Sequence, residues 1–335
     1  MKKWLYLIVL LMTTTSLFAQ SQWQPDVLGQ DFEQLQVPMP NDYEGQVVTT
    51  IIRSTKNSGQ RKAVLYVHGF IDYFFQETLA QRYLDAGFDF YAVDLRKYGR
   101  SKLPNQRWYN VRNLKEYYAD LDAALDQMQA AGYHHILLNG HSTGGLIVSL
   151  YAHDNQGREK FDALFLNSPF LDMNVSWTEE KIGIPVLSFV GGIFPNIPLN
   201  KGLSPLYGQS LHQQHQGEWN YNLDWKPVES RSFTTSWIHA IHQGHRRIKK
   251  GLNIRKPVLV LHSDKSIYLK QWHPDLMTGD AVLDVKDIAK YALHLGPKVQ
   301  VQGIPDAMHD MVLSRKEVRE KVYGYLFKWL GVYMP

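Results

Sequence analysis

The 335-residue chain contains no cysteine. Disulfides, thiolate metal sites and the lipid-modified N-terminal cysteine of bacterial lipoproteins are therefore excluded. A charge excess of one sign is also missing: 36 basic residues face 32 acidic ones, a formal balance of +4. That is too close to neutral for a nucleic-acid-binding surface. There is no internal repeat and no low-complexity tract. What remains, with 44% apolar and 20% charged residues, is ordinary globular composition. The length allows one large α/β domain or two modest ones, with ample core to hold without disulfides.

The N-terminus reads as a cleavable signal peptide over residues 1–19. Lys2 and Lys3 form a positive start, Trp4 to Met12 is an unbroken apolar run, and small polar residues lead to Ala19. Leu17 is bulkier than the small residue usual two positions before a cut, so the cut is less sharply marked than the segment. An uncleaved anchor is the rival, but the run is short of the ~18 to 20 apolar residues that a spanning helix needs. Loss of the leader leaves 34 basic and 32 acidic residues, a balance of +2. A periplasmic or secreted protein fits these features.

Residues 20–43 are polar with three prolines and read as a lead-in arm. Beyond them, apolar runs alternate with helical spacing. The runs are Val47 to Arg53, Lys62 to Val67, Phe88 to Val93, His135 to Asn139, Ala163 to Leu166, Val258 to Leu261 and Val299 to Ile304. Helices fall between them, one capped by Asn113 with Glu116, and a last one through Trp329 begins at a capping box of Ser314 with Glu317. This alternation predicts an α/β fold with a mostly parallel sheet joined by right-handed crossovers and flanked by helices. One stretch, about 170–256, is far longer than a crossover needs. It reads as an inserted cap over the carboxyl ends of the strands, where open α/β sheets bind ligands.

The segment HILLNGHSTGG holds G-x-S-x-G between a strand and a helix, the arrangement of a nucleophile elbow centred on Ser142. Gly140 and Gly144 are needed because side chains there would collide with the neighbouring strand and helix. The helix that follows aims its free N–H groups at the site. Alone, such a pentapeptide arises by chance in roughly one chain in ten of this length. An apolar β-type run before it and a buried-helix pattern after it decide for the elbow. In such a site one oxyanion donor is the N–H of the next residue, Thr143, and the second comes from a loop after an earlier strand. His68-Gly69-Phe70 ends such a strand, so the Phe70 N–H is the candidate. Donors of this kind are each worth about 3 kcal/mol in the transition state. The bland alternative is that His68-Gly69 is a strand-ending turn.

Here the chain resembles the monoacylglycerol lipase and lysophospholipase-like group of α/β-hydrolases, which also contains proline-iminopeptidase relatives. The residues that carry the resemblance are HGF at His68 to Phe70, DLRKYGRS at Asp94 to Ser101 and GHSTGG at Gly140 to Gly145. PVLVLHSD, GDAVLDV and IPDAMHD add to it, so that it covers about Val47 to Trp329 outside the cap. The resemblance implies an α/β-hydrolase fold, no cofactor and a Ser-His-Asp triad. Two departures stand out. Lys97 replaces a common glycine in D-x-R-G-x-G-x-S, a loop that reads as structural. The stretch between the Val258 strand and GDAVLDV is longer than usual.

Triad order in this fold is Ser, acid, His. Of 14 histidines, His309 lies in a loop just past the last strand and is the candidate base. Two aspartates compete for the acid. Asp280 begins DAVLD and lies about thirty residues before the histidine, as the family pattern has it. Asp264 directly follows the Val258 strand. Asp280 is preferred over Asp264, with Asp284 a distant third.

Other clusters have bland readings beside sharp ones. His239, His242 and His245, with His212 and His215 nearby, lack the carboxylate or cysteine that would complete a metal set, so they read as polar or substrate-lining histidines. His245 to Lys250 is a basic helix end, or a holder of anionic head groups. Ile182 to Ile197 could be an acyl-binding lid, a membrane-docking surface or simple packing. The expectation is an exported serine hydrolase for acyl or lipid-like esters, whose activity fades below about pH 6 as its histidine base protonates. A proline-iminopeptidase-like enzyme is the nearest rival and would need an acidic grip such as Glu179, Glu180 or Glu218. A catalytically silent α/β-hydrolase scaffold is the rival from another class. Oligomeric state leaves no mark in the sequence.

Overall fold

The structure is a computed structural model that describes residues 22–200 and 202–335. The leader read at residues 1–19 lies outside the described residues. The chain begins with β1 (Gln24–Asp26), β2 (Gly29–Asp42) and β3 (Gly45–Ser54), followed by β4 (Lys62–Val67), α1 (Glu77–Asp85) and β5 (Asp89–Asp94). Next come α2 (Tyr118–Ala130), β6 (His135–His141), α3 (Thr143–Asp154) and β7 (Ala163–Asn167). A long excursion then carries α4 (Ile184–Ile193), β8 (Pro198–Leu199), α5 (Pro205–Leu211), β9 (Phe233–Thr234) and α6 (Thr235–Lys250). The chain returns through β10 (Val258–Ser263), α7 (Val285–Ala292), β11 (Val299–Ile304) and α8 (Lys316–Tyr333).

Nine strands form one sheet in the order β1-β2-β3-β5-β4-β6-β7-β10-β11. From β5 to β11 the neighbours are parallel, and β1, β2 and β3 add an antiparallel edge. The central strands are continuous apolar runs because both faces are covered. On β4, Leu65 and Val67 join one apolar cluster with α2 and α3, whereas Val64 and Tyr66 join a second with α1 and α8. From β4 the chain moves one way to β5 and then the other way to β6 and beyond, so the strand order reverses there. The crevice at the carboxyl ends of β4 and β6 is where such sheets place a ligand.

Two expectations need correction. The polar lead-in arm is in fact β1 and β2, the latter paired antiparallel with β3 from Phe32↔Ser54 to Asp42↔Gly45. Its prolines, Pro38 and Pro40, lie beyond the part of β2 that β1 covers, where an edge strand tolerates them. The Ser314–Glu317 capping box does not form. The cap residue of α8 is Arg315, without a side-chain bond. The Ser314 hydroxyl instead accepts the Met308 N–H at 2.9 Å, bracing the turn that carries His309. The other box does form, with Asn113 and Glu116 capping the 3-10 turn that opens α2.

The departure at Lys97 also has a structural account. Its φ is +66°, where glycine is the easy residue. The buried ammonium lies 2.6 Å from Asp42 and 2.8 Å from Glu44 at the β2–β3 turn, and over the Tyr43 ring. This loop is built of ion pairs: Arg96 grips Asp120, and Arg100 bridges Asp94 and Asp26.

Candidate active site

Ser142 sits between β6 and α3 with φ 51° and ψ −116°. A non-glycine residue held there costs of order 1–3 kcal/mol, which the surroundings must offset. They do so by close packing. A Cβ on Gly144 would lie 2.3 Å from the Val67 carbonyl oxygen and 2.5 Å from that of His68. A Cβ on Gly140 would lie 2.7 Å from Val148 Cγ2 and 2.8 Å from the Gly144 oxygen. The turn can therefore be this tight only with both glycines. The Ser142 N–H donates to the Asn167 carbonyl at 3.0 Å, and the Phe170 N–H returns a bond to the Ser142 carbonyl at 2.9 Å.

His309 follows β11 and reaches the same place. Its Nε2 lies 3.0 Å from Ser142 Oγ and its Nδ1 lies 2.9 Å from Asp280 Oδ2. All three side chains are buried. Asp280 Oδ1 accepts the N–H groups of Val282 and Leu283, each at 2.8 Å. With the carboxylate accepting Nδ1–H, Nε2 is left with a lone pair toward the serine hydroxyl. That arrangement can take a proton from Ser142 and return it to a leaving group.

Asp264 is not part of this group. It is exposed, and its Oδ1 accepts the Asp306 N–H at 3.2 Å. Asp284 caps α7 through the Lys286 N–H. The two leading candidates are related by the unusually long stretch after β10. The Asp280 N–H donates to the Lys265 carbonyl, and the Ile267 N–H donates to the Asp280 carbonyl. These bonds close the intervening residues into a loop at its neck, so Asp280 emerges beside the end of β10 despite its distance in sequence.

The HGF loop packs against the serine: a Cβ on Gly69 would lie 3.2 Å from Ser142 Cβ. Phe70 and Thr143 line one chamber with Ser142 and His309. Among the described residues, neither of their backbone N–H groups donates to a backbone carbonyl, and the buried Thr143 hydroxyl also lacks a partner. The Phe70 ring is held by Trp237, with centroids 4.2 Å apart, and by Tyr109 at 5.0 Å.

The sequence pattern of the family described as "Serine aminopeptidase, S33" matches residues 58–271, well over half of the chain. The chain belongs to this family. It is a serine hydrolase of the α/β-hydrolase fold. A soluble variant of the monoglyceride lipase of Saccharomyces cerevisiae, solved with a substrate analog, is 18% identical. That match covers 89% of this chain and 95% of the lipase, with a TM-score of 0.67. The monoacylglycerol lipase of Paleococcus ferrophilus is also 18% identical, over 86% of this chain and 99% of that one, with a TM-score of 0.62. Est1E of Butyrivibrio proteoclasticus, solved with ferulic acid, is 14% identical over 89% and 99%, with a TM-score of 0.55. At these identities the likeness is one of fold. No curated protein matches the chain.

The hydrolase's chamber has a volume of about 460 Å³. Its walls are mostly apolar, with Ile184, Leu187, Leu199, Phe233 and Trp237 contributed by the stretch between β7 and β10. One charged pair interrupts them. Lys226 Nζ lies 2.8 Å from Asp72 Oδ1, while the buried Asp72 Oδ2 has no hydrogen-bond partner. Burial works to raise the Asp72 pKa, but Lys226, with His141 and His68, outweighs it and holds the carboxyl below the usual range. Burial likewise lowers the pKa of His141, which Asp310 opposes only in part. Nothing in the sequence pointed to Asp72 and Lys226, which are 154 residues apart.

Asp72, His141 and Asp310 are the one group among the described residues with metal-ligand spacing. Most of their polar atoms are already engaged: Asp72 Oδ1 with Lys226, His141 Nδ1 with the Asn167 carbonyl, and Asp310 with Asn167 and Gln76. The ammonium of Lys226 already supplies a positive charge to Asp72, at 2.8 Å. His239, His242 and His245 do not converge on one point or line the chamber. His239 Nδ1 faces the Ser188 carbonyl, His242 lines a groove on the outer side of α4, and His245 Nε2 faces the Phe170 carbonyl. Of the acids considered as an amine grip, Glu180 pairs with Lys181 and Lys249, and Glu218 with Arg319. Glu179 lines the chamber and accepts the Ser176 N–H and hydroxyl.

Proposed function

We propose that the protein hydrolyses carboxylic esters of single-chain acyl lipids through an acyl-enzyme on Ser142. The observation that supports it is the Asp280–His309–Ser142 relay facing an apolar chamber with one buried ion pair. Ser142 Oγ attacks the ester carbonyl as His309 takes its proton. The oxyanion is held by the Phe70 and Thr143 N–H groups, at about 3 kcal/mol each. His309 then protonates the departing alcohol, and a water activated by the same histidine frees the acid. The acyl chain lies along Leu187, Leu199 and Trp237. The polar head meets the free Asp72 Oδ2, which accepts a hydroxyl, and the remaining Lys226 N–H groups. The leader at residues 1–19 puts this work in the periplasm or the medium.

The family's description keeps an aminopeptidase as the second reading. Its substrate amine would have to bind Asp72 in competition with Lys226, or reach Glu179. Steady-state kinetics on a monoacylglycerol, a p-nitrophenyl acyl ester and a proline anilide separate the two. The esters are expected to have much the higher kcat/KM. Faster turnover of the anilide would overturn the ester reading, and no turnover of any of them would favour a silent scaffold.

A further inference from the structure

The two edges of the main sheet are built differently. At one edge, β1 and the part of β2 that β1 leaves uncovered carry Pro25, Pro38 and Pro40. Prolines, charges and bulges are the usual means of keeping an edge strand from pairing with another chain. The strand at the other edge, β11, has none of these. Its sequence is VQVQGI, and its register with β10 runs unbroken from Val258↔Val299 to Ser263↔Ile304. Among the described residues, no strand lies on its outer side.

The direction of its backbone groups follows from the two ends of that pairing. The Val258 N–H donates to the Lys298 carbonyl, and the Asp264 N–H donates to the Ile304 carbonyl. Even-numbered residues therefore bond inward to β10, and the N–H and C=O groups of Val299, Val301 and Gly303 point outward. The Gly303 carbonyl is met only by the side chain of its neighbour, Gln302 Nε2 at 2.7 Å. An edge with this spacing is complementary to itself. Turned antiparallel about a two-fold axis at Val301, it sets Val301 against Val301 and Val299 against Gly303, so that all three outward residues are paired. Charge favours the same arrangement. At the start of the strand, Lys298 is exposed and makes no ion pair among the described residues. At its far end, Asp264 is exposed and likewise without an ion pair, and Asp306 has only Lys265. The antiparallel turn brings the basic start of each copy to the acidic end of the other.

Helix α8 supplies an apolar flank. Its Phe327 meets Tyr83 and its Glu320 pairs with Arg82, so this side of the helix faces α1. Tyr325 and Val332, two turns apart, lie on the opposite flank and are exposed, Val332 at 69%. Because α8 packs on β10 and β11, that flank borders the open edge. We propose that β11 pairs antiparallel with β11 of a second copy of this chain, extending the sheet across a two-fold axis, with Tyr325 and Val332 of the two α8 helices closing over the joint. Such pairing is independent of the ester reading and leaves the chamber open, since no residue of β11 or α8 lines it.

Analytical ultracentrifugation of the purified protein over the micromolar range tests this. Wild type is expected to sediment as a dimer. Val301→Pro should shift it to monomer, because the N–H it removes points away from β10 and is not used by the fold. Tyr325→Glu, on a separate element, should weaken the dimer roughly tenfold or more, since the axis sets two like charges near each other in an apolar joint. A circular dichroism spectrum like that of wild type is the control for folding. The chain lacks cysteine, so one introduced thiol reads the register directly. Under oxidation, Val301→Cys should run as a covalent dimer on a non-reducing gel, since the paired Cα atoms would lie about 5.5 Å apart. Gln300→Cys should not, because Gln300 faces Gln302 across the axis and the matching thiol lies beyond the ~7 Å reach of a disulfide. The proposal is overturned if wild type is monomeric over the whole range, if Val301→Pro and Tyr325→Glu both leave a dimer intact, or if Gln300→Cys links as readily as Val301→Cys.

Discussion

Asp280→Asn is a sharp test of the relay. Asp280 Oδ1 accepts two backbone N–H groups and Oδ2 faces His309 Nδ1. An asparagine must keep its oxygen on the two N–H groups, because turning the amide would set its own N–H against theirs. Its NH2 then faces Nδ1, which becomes an acceptor and sends the imidazole proton to Nε2, toward Ser142. The serine would lose its base without losing its shape. The expected loss in kcat is about 10⁴-fold, as for the same change in a serine protease triad, which is roughly 5–6 kcal/mol of barrier. Stability should barely change, since both backbone bonds remain. Asp264→Asn should keep activity within about twofold, because that exposed carboxylate has one long backbone bond and no contact with His309. The assay is kcat and KM on a chromogenic ester, with chemical denaturation as the control for folding. If Asp264→Asn were the damaging change and Asp280→Asn kept activity within tenfold, the reasoning would be refuted.

Other outcomes follow from buried charges. Lys97→Met should destabilise the protein by about 3 kcal/mol or more in equilibrium unfolding, because Asp42 and Glu44 lose their shared cation. An unchanged denaturation midpoint would contradict that account. His245 is fully buried, and burial lowers its pKa to about 4 from 6.5. The unfolded chain therefore binds this proton more readily than the folded one, so the stability at stake is intact above pH 6.5 and is lost as the pH falls toward 4. The full difference is about 3 kcal/mol. His245→Gln should flatten stability against pH in that window, and an identical acid profile would sink the idea.

The sheet was legible because the central strands are covered on both faces, so that LYV and LVL runs show without alternation. The first strands were not. β2 is covered on its outer side only by the short β1, is half exposed and carries prolines, and without its partner β3 it reads as polar arm. Ser142 and His309 are placed by local pattern and chain order, and the structure brings them to 3.0 Å. The acid was harder to read, because the loop between Lys265 and Asp280 separates in sequence what two backbone bonds hold together in space. Ser314 carried a capping pattern but serves the His309 turn instead, since a hydroxyl bonds to whichever N–H the tertiary fold brings near. Asp72 and Lys226 carry no motif at all. Their pairing depends on how the long excursion after β7 folds back over β4, which no local pattern encodes.

The central claim is that Ser142 is a nucleophile activated by His309. Labelling with a fluorophosphonate probe, read by intact-mass spectrometry and peptide mapping, tests it most directly. One adduct on Ser142 is expected in wild type, absent in Ser142→Ala together with ester hydrolysis. An adduct on another residue, or a Ser142→Ala protein that hydrolyses esters as wild type does, would contradict the claim.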